Sequence, residues 1–339
     1  MACVRYRRGR WVIDFYDQEG KRRRETLPKG IDRKGANEKL GEMERKVRQA
    51  AYVPPKSLPP FSDLAADWLS SKQPDLRHTT HENYTGHVEN YLKPFFGKLK
   101  VNQVRYEAIE TFKRKALNGE LPAECLKEKV APSTLRNVLR TLHGIMKYAV
   151  KRRYIDHNPV AEVEKPKGKD ERDETKEMRT LTLPEIKVFL EKAKDQRDRV
   201  LFMAAVLTGL REGELFGLQW GDIDWLNCQI HVRRTYNHGR FSEPKSRTSR
   251  RRVDLAPELV QELKSWKLAC PKGEHDVVFP TLLGTPEGHS NMTKHRFKPT
   301  LRRAGIAEIR FHDLRHTYAS LLIEQNEHPK YIQNQMGHS

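Results

Sequence analysis

Two stretches that cannot join a packed core cut this chain into separate bodies. The first is Tyr52-Val53-Pro54-Pro55-Lys56-Ser57-Leu58-Pro59-Pro60. Four prolines in nine residues fix φ and remove backbone donors, so residues 53–60 are expected to be a semi-rigid linker rather than helix or central strand. The second runs over residues 165–179, where 11 of 15 residues are charged and Met178 is nearly the only apolar one. Such a segment buries nothing. Three bodies are left, 1–52, 61–164 and 180–339, which suits a chain too long for one compact domain.

Each body has its own pattern. In the first, Trp11 to Tyr16 is rich in β-branched and aromatic residues, Asp17-Gln18-Glu19-Gly20 supplies turn chemistry, and Lys21 to Leu27 reads as a returning strand. From Gly35 to Gln49, Ala36, Leu40, Met43 and Val47 recur at helical spacing. Two or three strands on one helix make a small module, and residues 1–50 carry 15 Lys and Arg against 8 Asp and Glu. Its strand face, with Arg22, Arg23 and Arg24, could enter a DNA groove as β-ribbon readers do. A merely solvated hairpin is the alternative. The second body reads as helices alone. Phe61, Leu64, Ala65, Trp68 and Leu69 form one stripe; Tyr84, His87, Val88, Tyr91 and Leu92 form another that stops at Pro94. A third runs from Tyr106 to Ala116, and a fourth starts at Ser133 as N-cap after Pro132. Arg136 and Arg140 lie on mostly positive polar faces suited to following phosphates. The third body is mixed α/β.

Charge then narrows the partner. Lys and Arg number 64 against 45 Asp and Glu, a formal charge of +19, which in a protein this size points to a polyanion, most often nucleic acid. No run approaches the roughly 18 apolar residues of a membrane span. The N-terminus has no apolar stretch behind its charges, so a secretory signal is not expected. Cys3, Cys125, Cys228 and Cys270 lie far apart with no CxxC pair, which argues against a disulfide scaffold or zinc cluster and fits a reducing cytoplasm.

Three constellations in 180–339 carry chemistry. In Thr208-Gly209-Leu210-Arg211-Glu212-Gly213-Glu214-Leu215, a buried helix breaks at Gly209. A new one is expected to present Arg211, Glu214, Leu215 and Leu218 on one face. A guanidinium held at the edge of a core by a carboxylate suits the non-bridging oxygens of a phosphodiester, although an ordinary Arg–Glu pair would look the same. The second is a β-hairpin system: Gln229 to Val232 alternates, Asn237-His238-Gly239 turns, and Pro244 to Leu255 returns with Lys245, Arg247 and Arg250 among its cations. The third is Phe311-His312-Asp313-Leu314-Arg315-His316-Thr317-Tyr318-Ala319-Ser320, followed by Met336-Gly337-His338-Ser339. His312 and His316 are four apart, as zinc ligands can be. However, no general-base Glu or third ligand cluster accompanies them, and Arg315 would set a cation beside a dication, so no metal is expected.

Together and in this order, these motifs resemble the tyrosine recombinase, or phage integrase, family, over the whole chain. The resemblance implies a multidomain α+β protein. Residues 1–52 would be a β-β-β-α arm-binding module, 61–164 a helical core-binding (SAM-like) bundle, and 180–339 a mixed α/β catalytic domain that is C-terminally incomplete. Arg211 and Arg315 match the family arginines that hold the scissile phosphate, with Glu214 steadying the site. Lys245 matches the hairpin lysine that protonates the departing 5′-oxygen, with Ser246 after it where many relatives have Thr. His312 matches the general acid/base and His338 the second, phosphate-binding histidine. Arg22, Arg23, Arg24, Arg136, Arg140, Arg247 and Arg250 become DNA-binding candidates. No metal or nucleotide cofactor is implied, because a phosphotyrosine bond conserves the energy of the broken phosphodiester. The implied partners are double-stranded core and arm attachment sites, a homotetramer at the synapse and a host DNA-bending or directionality factor. The implied location is the cytoplasm, on the nucleoid.

One part is missing from the match. The family's nucleophilic tyrosine follows the glycine–histidine pair on the next helix, whereas Tyr318 and Tyr331 both precede His338. The expectation is a chain that binds its site without cleaving it. Two rivals stay open: a non-catalytic DNA-binding regulator on the same fold, which would not need the full catalytic set, and a metal-dependent nuclease, for which no carboxylate cluster is evident.

Overall fold

The computed structural model describes residues 2–49, 52, 54, 58–167, 179–243 and 250–337. The chain forms two compact units, Met1–Thr175 and Lys176–Ser339.

The first unit opens with an antiparallel sheet of β1 (Cys3–Arg7), β2 (Arg10–Tyr16) and β3 (Arg22–Thr26), in that order, with β2 central. Ile13 and Phe15 point from β2 into a core with Ala36 and Met43 of α1 (Arg33–Arg48), whose N-terminus is capped by the Asp32 side chain. Tyr52 closes that core, its ring edge-on to Phe15 at 5.0 Å and its hydroxyl donating to Glu25 at 2.9 Å.

The bundle follows in the same unit. Leu58 is buried and Pro60 bridges Lys100, so the packed bundle begins at residue 58, inside the stretch expected as linker. Its helices are α2 (Phe61–Lys72), α3 (His78–His87), α4 (Lys93–Phe96), α5 (Tyr106–Asn118) and α6 (Pro132–Lys151). Phe61, Phe96, Phe112 and Leu142 are fully buried between them. Lys46 of α1 pairs with Asp156 at 2.5 Å, and Arg153 donates to the Gln49 carbonyl, tying the module to the bundle.

Two helix boundaries also differ from the sequence expectation. The second stripe does not stop at Pro94: the helical backbone runs on from α3 through a π-helical turn, Val88–Leu92, into α4, and Pro94 sits just after that turn, with the Asn90 carbonyl accepting from the Leu126 N–H at 3.0 Å. The last helix is not capped by Ser133. Ala131 occupies the N-cap and Pro132 the first turn, the position its fixed φ favours.

Among the described residues, the second unit runs α7 (Leu183–Glu191), α8 (Gln196–Thr208), α9 (Glu212–Phe216), five short strands, then α10 (Pro257–Ala269), α11 (His289–Met292), α12 (Lys298–Arg303), α13 (Asp313–Glu324) and α14 (Pro329–Met336). β4 (Ile223–Asp224), β5 (Gln229–Val232) and β8 (Arg251–Asp254) form one antiparallel sheet; β6 (Thr235–Asn237) and β7 (Arg240–Ser242) form a separate hairpin. Phe189, Phe202, Phe297 and Phe311 stack through the core around α8. Among the described residues, no helix is long and apolar enough to cross a membrane.

Candidate active site

The site grows from the break after α8. Gly209 takes φ +56°, a conformation that costs other residues about 1 kcal/mol or more, and a Cβ there would lie 2.3 Å from the Tyr318 ring. The turn delivers Arg211 to the N-cap of α9 in extended geometry rather than onto the helix face; Leu218 likewise falls beyond the end of α9. The expected four-residue face is therefore a capped turn. Glu214 reaches back to accept from the Arg211 backbone N–H at 2.9 Å and from its Nη1 at 2.9 Å.

Glu214 is almost fully buried, and a second cation holds it there. Arg251 of β8 donates from Nη1 to Oε1 at 3.1 Å and from Nη2 to Oε2 at 3.0 Å. Burial alone would raise the carboxyl's pKa, but the Arg251 hydrogen bonds and charge outweigh it and hold Glu214 below its ordinary value. Arg251 was not a candidate from sequence. The available signal was period-two alternation in β8: Arg251 shares its face with fully buried Val253, so its side chain points inward.

Arg315 comes from the first turn of α13 and is also buried. Its Nη1 donates to the Gly209 carbonyl and its Nη2 to the Met336 carbonyl. Burial, then Arg211 and Arg251, push its pKa down to about 10, leaving it charged at neutral pH. The end of α14 is the common anchor. Arg251 Nε donates to the Gln335 carbonyl at 2.7 Å, Arg315 to Met336, and Arg211 Nη2 to Gly337 at 3.1 Å. Gly337 itself sits at φ +62° with Arg251 Cδ 2.9 Å from where a Cβ would be. Three arginines thus grip three successive carbonyls at the negative end of a helix. Among the described residues Glu214 pairs with both Arg211 and Arg251, and the guanidinium charge gathered here suits a phosphodiester and the charge that builds on it during displacement.

His312 occupies the N-cap of α13, its ring edge-on to His316 at 5.2 Å. Burial, then His316 and Arg315, lower its pKa, so it is neutral at pH 7 and able to take a proton. Lys245, Arg247 and His338 lie outside the described residues. Neither Tyr318 nor Tyr331 is an activated hydroxyl. Burial pushes Tyr318 up to about 12, and the Tyr331 hydroxyl donates to Asp254 at 2.8 Å, beside a carboxylate that opposes its ionisation.

The other candidates are distributed over both units. In the module, Arg22 forks onto Asp14 at 2.8 and 2.6 Å, Arg24 approaches the same carboxylate at 3.4 Å, and Arg23 turns to Asp17 at 2.6 Å. Arg136 donates to the Pro166 carbonyl and Arg140 to Asn137 on α6. Arg250 pairs with Glu243 at 2.8 Å beside the hairpin.

Residues 177–339 match the phage integrase family and residues 61–166 the phage integrase central domain. The chain is 29% identical to a tyrosine recombinase XerC-like protein of Caldanaerobacter subterraneus subsp. tengcongensis, over 95% of this chain and 87% of that one. It is 25% identical to the ICEBs1 integrase of Bacillus subtilis, over all of this chain and 92% of that protein. Among solved structures, the Tn1549 transposon integrase in complex with a circular intermediate DNA superposes with a TM-score of 0.67 at 20% identity, over 84% of this chain and 92% of that one. A lambda integrase tetramer bound to a Holliday junction superposes at 0.62 and 16% identity, over 99% and 95%. Both structures share this fold.

Proposed function

We propose a specific recombination role on one premise: the chain belongs to the phage integrase family of tyrosine recombinases, which cleave and rejoin DNA strands. The role is insertion or excision of a mobile element at short attachment sites. The observation that carries it is the grip of Arg211, Arg251 and Arg315 on the end of α14, which gathers distant cations into one anion site.

In this reading Arg211 and Arg315 hold the scissile phosphate, while Glu214 and Arg251 fix their geometry. A tyrosine hydroxyl attacks phosphorus, the 3′-phosphotyrosyl bond forms, and the 5′-oxygen leaves with a proton from Lys245. His312 moves the proton of the attacking hydroxyl, and His338 adds a donor to the phosphate. The reverse reaction, with the 5′-hydroxyl of the partner strand, restores the phosphodiester, so no metal or nucleotide enters. The bundle (61–164) would grip the core duplex and the module (1–52) separate arm sites. Four protomers would form the synapse, as the tetrameric lambda integrase on a Holliday junction suggests, with a host DNA-bending or directionality factor assisting on the nucleoid.

The state of Tyr318 and Tyr331 favours a second element of the reading. With one hydroxyl buried and the other tied to Asp254, the covalent step draws on a tyrosine outside residues 1–339, and these residues alone bind without cleaving. The test incubates a nicked suicide duplex bearing the attachment core with this chain and with a form extended through the following helix, then looks for a covalent adduct on denaturing gels. An adduct from the extended form only, abolished by Arg211→Ala or Arg315→Ala, supports the reading. An adduct from the 339 residues themselves refutes the assignment of both tyrosines. Binding by both forms without any adduct moves the non-catalytic regulator ahead.

A further inference from the structure

The outer face of the N-terminal sheet holds an arrangement that simple phosphate attraction does not explain. Strand alternation and the pairing register place Arg5, Arg7, Arg10, Arg22 and Arg24 on the face away from α1, all exposed. Among the described strand residues of that face, Asp14 is the single acid, at the centre of β2. It is only 4% exposed although it points away from the core, because Arg22 and Arg24 fold over it. The Arg22 hydrogen bonds hold the Asp14 carboxyl down to about 2, so it stays ionised at any ordinary pH.

A carboxylate in the middle of a cationic DNA-facing surface is a liability for affinity. It cancels charge and repels phosphates. What it gives in exchange is geometry. Arg22 binds it through Nε and Nη2, at 2.8 and 2.6 Å, which fixes the plane of the guanidinium and turns the Nη1–Nη2 end away from the carboxylate. That end is the fork that matches guanine O6 and N7. Arg24 touches the same carboxylate through Nε alone, at 3.4 Å, so its fork is held more loosely. The two residues are i and i+2 on one strand, about 6.7 Å apart, close to two base-pair rises of about 3.4 Å.

We propose that Asp14 is a positioning residue for sequence readout, fixing Arg22, and less tightly Arg24, to address two guanines about two steps apart in a major groove. This rests on the reading of the module as a DNA-binding domain. Asp14 lowers non-specific attraction and raises discrimination.

The test selects duplexes from a pool carrying a randomised central segment, using the full chain and three variants: Asp14→Asn, Arg22→Lys, and Arg22→Ala with Arg24→Ala. The intact chain enriches guanine at two positions about two steps apart. Asp14→Asn reduces the preference at one of them by about tenfold, while affinity for unselected duplex stays level or rises. Arg22→Lys keeps the charge, loses the fork, and loses the same preference; it carries the test if Asp14→Asn fails to fold. Equal weakening on selected and unselected duplexes, or an unchanged preference, overturns the proposal. If the double alanine variant binds every duplex like the intact chain, the sheet does not meet DNA, and the proposal falls together with the reading beneath it.

Discussion

Replacing Arg251 by Met should strand a buried carboxylate, and the size of the effect can be worked from the contacts. Arg251 gives Glu214 two hydrogen bonds and the Gln335 carbonyl a third. Removing one partner of a buried ion pair costs about 3–5 kcal/mol. The Arg211 backbone and Nη1 still serve Glu214, which puts the expected loss at the lower end, about 3 kcal/mol. The readout is urea unfolding followed by tryptophan fluorescence, since Trp220 and Trp266 are buried in the second unit. The pH dependence gives a sharper check. In the intact chain Glu214 titrates below its unfolded value, so its contribution is present above the ordinary carboxylate range and lost as pH falls through the lowered folded value. Without Arg251, burial dominates and the folded pKa moves above the ordinary value, so the variant's penalty is full at pH 7 and shrinks on acidification. The gap between the two proteins should therefore narrow between pH 7 and 5. Adding Glu214→Gln to Arg251→Met should recover about half of the loss by removing the stranded charge. A gap under about 1 kcal/mol at pH 7, or one that does not narrow, would show that Glu214 does not depend on Arg251.

Three further outcomes are expected. Gly209→Ala should destabilise the second unit by about 2–4 kcal/mol in thermal melts, because a left-handed φ and a clash with Tyr318 act together; pairing it with Tyr318→Leu should return part of that. Arg315→Lys keeps a charge but cannot reach the Gly209 and Met336 carbonyls with one planar fork, and in the extended form should cut adduct formation by about a hundredfold or more. The His312 ring should titrate below about 6.5 in NMR, with an acid limb in adduct formation at the same pH, and His316→Gln should move both upward by removing the neighbouring ring's influence.

Local pattern made much of this molecule legible. The β-branched and aromatic run Trp11–Tyr16, the turn at Asp17–Gly20 with the returning strand after it, and the helical spacing from Ala36 to Val47 appear as β2, β3 and α1, because each is set by neighbours in sequence. Pro94 and Pro132 misled for different reasons: a π-helical turn, which no local pattern marks, carries the helix past Pro94, while Pro132 occupies the first turn of α6 rather than preceding its cap. The pairing of Arg211 with Glu214 was readable from their spacing, yet the backbone carbonyls that also hold Arg211 and Arg315 were not, because every residue carries one and no sequence marks it. Arg251 sat unremarked in a run of cations whose members differ only in which way a strand turns them.

The grip on α14 also bears on when the site comes into being. The bonds that close it span 126, 84 and 21 residues of chain. Contacts of such long loop length form after local structure has been made. During synthesis Arg211 emerges long before residues 335–337, and Arg315 about 20 residues before them, so neither has its anchor when it first leaves the ribosome. A nascent chain can therefore fold its helical bundle early while the arginine cluster stays unassembled, so a partial product carries the packed bundle but lacks the shaped cluster of cations.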